Sequence, residues 1–165
     1  MVTLHAACPV VVARPPSGDR RGPGEGIVVG ADGSVDSLPV IEFAFRQASL
    51  CALPLTVVHY YQDVLVGAGF DVAVLEVDVE TMRVVLAQSV AGMGEKFPDV
   101  AVTTRLQRGA TDPAFTGDHS WDLIVVGRRT KSAWDRVLVG SVGRAVLEHA
   151  TTTVAVVPEP SVAGR

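Results

Sequence analysis

The sequence predicts a doubly wound α/β domain built on a parallel sheet. Short Val-rich runs recur at Ile27-Val28-Val29, Leu55-Thr56-Val57-Val58, Leu123-Ile124-Val125-Val126 and Val154-Ala155-Val156-Val157. Such β-branched runs without polar alternation suit strands buried on both faces. Apolar stripes of helical period lie between them. Alternation of strand and helix implies right-handed crossovers, parallel strands and helices on both faces.

The elements follow in order. Residues 15–26 contain seven Pro or Gly among twelve and no apolar period, so they read as a linker. The chain thus divides into an N-terminal piece (1–14), a linker (15–25), a main body (26–158) and a tail (159–165). After the first body strand, Leu38, Ile41, Phe45, Ala48 and Ala52 step by three and four residues, a helix with Ser37 as expected N-cap. Pro39 is tolerated only near such a start. The second strand, Leu55–Val58, ends close to His59. The stripe Leu75, Val79, Met82, Leu86, Val90, Met93 and Phe97 predicts a long helix, with Gly92 and Gly94 expected to loosen its end. Asp71, Glu76, Asp78 and Glu80 would then crowd a helix start, where the dipole favours acids. The run Val100–Leu106 alternates apolar and polar residues, as an edge strand does. Pro113 and Gly117 limit residues 110–120 to a short helix, and Ser141–His149 forms another.

Composition excludes several classes. The chain has 165 residues, of which 48% are hydrophobic and 19% charged, enough for a packed core and too apolar for disorder. A net charge of -4 and a pI near 5.5 supply no basic field for nucleic acid or an anionic membrane. No apolar stretch approaches the length of a membrane helix, about 20 residues. Cys8 and Cys51 are too far apart for a zinc motif and suit a reduced compartment. The opening residues lack a basic region and a long apolar core, so no signal peptide is read and a cytoplasmic location is expected.

In doubly wound folds ligands sit at the carboxyl ends of the strands, at the switch in strand order. The first such end reads Gly30-Ala31-Asp32-Gly33-Ser34, where Asp32 could accept hydrogen bonds from a ribose or an amine, or serve the turn itself. The fourth reads from Gly127 to Ser141 and carries Arg128, Arg129, Lys131 and Arg136 within nine positions. Gly140 permits close approach of backbone to an anion. Ser141 and Val142 offer N–H groups at a helix start, where the dipole favours negative charge. Charge concentrated there in an acidic protein suits polyphosphate; a solvated basic loop is the bland alternative. Neither a Walker A loop nor Gly-x-Gly-x-x-Gly follows any strand. His59, His119 and His149 find no second ligand at suitable spacing, and no nucleophile–base arrangement is legible, so neither metal nor catalytic residues are assigned.

The body resembles the universal stress protein family through Val29–Ser34, Val57-Val58-His59-Tyr60, Asp122–Gly127 and Gly140-Ser141-Val142. The family's nucleotide motif is Gly-x2-Gly-x9-Gly-Ser/Thr; Gly127, Gly140 and Ser141 match it, and Thr130 stands where the second glycine belongs. The resemblance implies a Rossmann-like sheet of five parallel strands in the order 3-2-1-4-5, a homodimer through the last strand, and ATP binding with Mg2+ held by the phosphates. By position, Ala31 and Asp32 would face the adenosine and the Tyr60 backbone would meet the adenine edge. Val126 and Gly127 would line the pocket, Thr130 would bring a hydroxyl, and Gly140, Ser141 and Val142 would hold phosphates. The function so implied is that of an ATP-binding stress-response regulator or sensor, not an enzyme. The alternatives are a nucleotide-free interaction module with a protein partner, and a weak ATP hydrolase or other enzyme of adenosine-type substrates.

His5–Ala13 also matches His149–Val157 at an offset of 144 residues. The opening therefore resembles the last strand of a preceding copy, as in a tandem universal stress protein. Residues 9–13 are expected to pair antiparallel with 153–157 and cover that sheet edge.

Overall fold

A computed structural model describes residues 6–15, 23–31, 35–61, 64–68, 71–75, 78–108, 115, 119–128 and 146–159. The strands are β1 (Val10–Val12), β2 (Ile27–Ala31), β3 (Leu55–Tyr61), β4 (Val64–Ala68), β5 (Asp71–Leu75), β6 (Val102–Arg108), β7 (Leu123–Arg128) and β8 (Val154–Pro158). Two long helices are α1 (Leu38–Cys51) and α2 (Val79–Lys96). Residues 146–149 are also helical, at the end of the span Ser141–His149.

The main sheet runs β1-β8-β7-β2-β3-β6. The five body strands β2, β3, β6, β7 and β8 are parallel and lie in the order 3-2-1-4-5. β6 forms one edge. At the other edge β1 pairs antiparallel with β8, Val10 opposite Val156, Val11 opposite Ala155 and Val12 opposite Val154. These pairs are in the register expected of residues 9–13 against 153–157.

Alternate strand residues serve two cores. Ile27, Val29, Leu55, Val57, Val125, Ala155 and Val157 face α1 and α2, packing on Val40, Ile41, Phe45 and Leu86. Val28, Val58, Ile124, Val126, Val154 and Val156 face the other way, against Phe115, Trp121, Val146 and Ala150. Burial on both faces is why these strands carry unbroken Val-rich runs.

Three local expectations need correction. Ser37 occupies the N-cap position, but its backbone is helical (φ −81°, ψ −10°) and its side chain makes no capping bond, because α1 continues from a 3-10 turn at Val35–Ser37. Leu75 and Asp71 belong to β5, which pairs antiparallel with β4 as a two-stranded unit; Leu75 happened to stand four residues before Val79. The true start of α2 is set by Asp78, whose carboxylate accepts the Glu80 N–H at 3.1 Å and the Thr81 hydroxyl at 2.6 Å. Gly92 and Gly94 lie in the last turns of α2, which runs on to Lys96. The start of the short helix at 110–120 lies outside the described residues, although Phe115 itself is helical and buried.

The body is joined to the stretch before it by named bonds. The Asp122 carboxylate accepts the Gly26 N–H at 3.0 Å, and the Glu25 carboxylate accepts the Ser120 N–H at 2.9 Å and meets His119 Nδ1 at 2.8 Å. The Ser120 N–H contributes most to holding the Glu25 pKa below the usual carboxylate value. Among the described residues no helix is long and apolar enough to cross a membrane.

Candidate functional site in the crevice between β2 and β7

β2 is the pivot of the sheet. Its crossover through α1 leads to β3 on one side, while β7 lies on the other, so the switch in strand order falls between β2 and β7. β2 and β3 pair as far as Ala31 opposite His59. β2 and β7 pair only as far as Val29 opposite Val125, although β7 continues beside β8 to Arg128. The two strands therefore part at their carboxyl ends. Gly30 and Ala31 form one lip of the gap, and Val126, Gly127 and Arg128 form the other.

Four of the nine sequence-predicted site residues are described here. Ala31 ends β2, buried on the α1 face. Tyr60 follows His59, one residue beyond the last pair that β2 makes with β3, so among the described residues its backbone edge on that side has no β2 partner. Its ring packs on Phe115, with centroids 5.7 Å apart, and its hydroxyl is buried without a partner among the described residues. The Val126 side chain belongs to the core beside Val28, Val58 and Phe115, so backbone is what it can offer a ligand. Gly127 is closely covered: a Cβ there would collide with the Glu159 carboxylate and come within 3.1 Å of Val40 Cγ2. Asp32, Thr130, Gly140, Ser141 and Val142 lie outside the described residues, as do Arg129, Lys131 and Arg136.

Two residues acquire roles that their positions in the sequence did not convey. His59 is 3% exposed, and its Nδ1 lies 2.9 Å from the Ala31 carbonyl oxygen, 28 residues away in sequence. Burial lowers its pKa, against the opposing effect of that hydrogen bond. Neutral His59 with Nδ1–H donating satisfies the carbonyl at the lip of the crevice. A lone histidine in an apolar strand was the available signal, since a buried polar ring demands a partner. Arg128, expected to add charge to the fourth loop, donates from its guanidinium to the Ala6 carbonyl at 2.8 Å.

A small cavity of about 10 Å³ lies at the amino ends of β7 and β8, lined by residues including His119, Trp121 and Thr152. It has room for about one water and lies away from the strand ends where ligands bind in such sheets. Among the described residues no three His, Cys, Asp or Glu side chains gather as a metal-ligating group.

Comparison with known proteins agrees with the fold. Residues 25–158 match the model of the universal stress protein family. A universal stress protein of Mycobacterium tuberculosis is 34% identical over 161 residues, covering 94% of this chain and 52% of the relative. One from Mycolicibacterium smegmatis is 33% identical over 163 residues, covering 93% and 52%. The chain thus spans about half the length of these relatives. Among solved structures, a universal stress protein in complex with cAMP superimposes with a TM-score of 0.62 at 22% identity, over 83% of this chain and 98% of that one. The Archaeoglobus fulgidus protein in complex with dAMP does so with a TM-score of 0.55 at 21% identity, over 80% and 96%. On the family match and these relatives, the chain belongs to the universal stress protein family.

Proposed function

We propose that the chain binds an adenine nucleotide, ATP with Mg2+ carried on its phosphates, between the carboxyl ends of β2 and β7. It then acts as a cytoplasmic stress-response regulator or sensor that binds without turnover. The observation carrying this reading is the parting of β2 and β7 after Val29 and Val125, which leaves backbone at the switch point available to a ligand. Two proteins of the same fold are complexes with cAMP and dAMP, which favours adenine nucleotides as the class.

The base and ribose would lie against Ala31, Asp32 and the backbone of Tyr60, Val126 and Gly127. The N–H groups of Gly140, Ser141 and Val142, with the Thr130 hydroxyl, would take the phosphates. The small side chain of Ala31 suits the first part of this arrangement. At Gly127 the Glu159 carboxylate must turn aside, which a flexible side chain does at small cost. Self-association through the last strand, which the resemblance implies, requires β8 to have a free edge.

A second reading, a nucleotide-free interaction module docking a protein partner, draws on the same two contacts. Glu159 covers Gly127 and Arg128 is engaged by Ala6, so a negative group stands near the motif's first glycine while a cation is drawn away.

Thermal unfolding with and without ATP and magnesium separates the readings. A ligand that binds only the folded state adds about 2.7 kcal/mol at a hundredfold excess over Kd. That raises Tm by several degrees in a chain of this size. Gly140→Asp should abolish the rise by placing a carboxylate among the phosphates. The absence of any shift at millimolar ATP refutes the nucleotide reading and favours the interaction module; rapid phosphate release favours a hydrolase.

A further inference from the structure

Glu159 follows the last strand and reaches back over the crevice. β7 and β8 pair as far as Arg128 opposite Pro158, and the Glu159 N–H then donates to the Arg128 carbonyl at 3.1 Å. This holds the backbone of Glu159 beside the β7 lip. Its carboxylate lies over Gly127: together with Val40 Cγ2 it is what an added Cβ there would meet. Val29 and Val125 are the last paired residues of β2 and β7, and both pack on the α1 side. The next residues on that side are Ala31 and Gly127. One bears a methyl group and the other no side chain, so the strands part where the α1 side is least filled. The Glu159 carboxylate stands at this level, across the gap from Ala31.

A carboxylate accepts hydrogen bonds and, when ionised, donates none. Of the parts of an adenine nucleotide it suits the hydroxyl and amino groups and repels phosphate. The amino group belongs to the adenine edge, which the proposed arrangement sets against the Tyr60 backbone, on the β3 side of β2. The ribose hydroxyls are the donors left for the β7 lip. An ionised carboxylate has about four acceptor sites, so it takes a vicinal diol while keeping a protein partner. Rotation about the side-chain torsions moves the carboxylate off Gly127 and leaves it beside the sugar. Acidic side chains read ribose hydroxyls in this way in dinucleotide-binding folds.

We infer that Glu159 is a specificity-determining residue of the crevice, and that the ligand it selects is a ribonucleotide with both the 2′- and the 3′-hydroxyl present. The inference rests on the adenine-nucleotide reading and adds a direction to it: the ribose lies on Glu159 and the phosphates point away. A deoxyribose would set an apolar carbon beside the carboxylate, without the bond that offsets its displacement from Gly127.

Isothermal titration calorimetry of the full chain, with magnesium present, compares ATP, 2′-deoxy-ATP and 3′-deoxy-ATP on the parent, Glu159→Gln and Glu159→Ala. In the parent each deoxy analogue should bind about tenfold or more weakly than ATP, the scale of one hydrogen bond to a charged group. In Glu159→Ala this preference should vanish. Glu159→Gln keeps one acceptor oxygen and should give an intermediate preference. A side chain that merely obstructs Gly127 would change all three affinities by the same factor and leave their ratios alone, and that result overturns the inference. So does a preference that survives in Glu159→Ala, which assigns the hydroxyls to another acceptor such as Asp32. A parent that binds the three ligands equally refutes the role of Glu159 and leaves the nucleotide reading intact, whereas a parent that binds none of them refutes both. If Glu159→Ala does not fold, Glu159→Gln decides: a preference below the parent's supports the inference, and an unchanged one overturns it.

Discussion

Replacing glycine by alanine should have opposite consequences at Gly26 and Gly92. Gly26 leads into β2, the strand that carries Ala31 to the crevice, with φ at 92°. An L-residue adopts that backbone at a cost of about 1–3 kcal/mol. A Cβ would also collide with the Pro54 carbonyl oxygen and lie 2.7 Å from Pro54 Cγ. The carbonyl cannot readily swing away, because it accepts the Ile27 N–H at 2.9 Å and so ties β2 to the start of β3. Overpacking of this kind adds about 1–3 kcal/mol. Gly26→Ala should therefore destabilise by about 2–6 kcal/mol, a large part of the ~5–15 kcal/mol typical of a domain. Gly92 is exposed on α2 with no atom within 4 Å of an added Cβ. Alanine there should stabilise by about 0.8–1.0 kcal/mol through helix propensity. Urea unfolding followed by circular dichroism measures both, with equal m-values showing that only stability has changed. A Gly26→Ala variant within about 0.5 kcal/mol of the parent would refute the reasoning, as would two variants that move in the same direction.

Two further predictions concern the crevice. Because burial lowers the His59 pKa, the unfolded chain takes up a proton near pH 6.5 that the folded chain resists. This stability is present above that pH and is lost as the pH falls toward the folded value, so Tm should decline on acidification more steeply in the parent than in His59→Asn; parallel slopes argue against it. Gly127→Ala should cost about 1–3 kcal/mol, and Glu159→Ala should recover most of that, since the carboxylate is the main obstruction and Val40 the lesser. A double-mutant cycle with additive effects would show that Glu159 does not bear on Gly127.

Several features of the fold could be seen in the residues. The four Val-rich runs became β2, β3, β7 and β8 because each is buried on both faces, so local pattern and tertiary demand coincide. The alternating run before Leu106 became the edge strand β6. The β4–β5 pair was missed although the apolar runs Val64-Leu65-Val66 and Val72-Ala73-Val74 are separated in sequence by residues that include Gly67 and Gly69, because Leu75 extended a helical stripe in sequence. A residue at a boundary can satisfy two periods, and only the Asp78 cap decides between them. In the candidate site, Ala31, Tyr60, Val126 and Gly127 were implied by the family resemblance, whereas which distant groups His59 and Glu159 would meet had no local signature.

By itself the sequence determined the class of fold, the family motif and the pairing partner of the opening strand, since each rests on patterns carried by neighbouring residues or by a repeat. Only the tertiary structure decided that β2 and β7 part after Val29, that His59 satisfies the Ala31 carbonyl, and that Arg128 is engaged by Ala6. Those outcomes join residues 28 to 122 positions apart. Hydrogen bonding and close packing act through space, so no periodicity along the chain encodes which distant groups will meet.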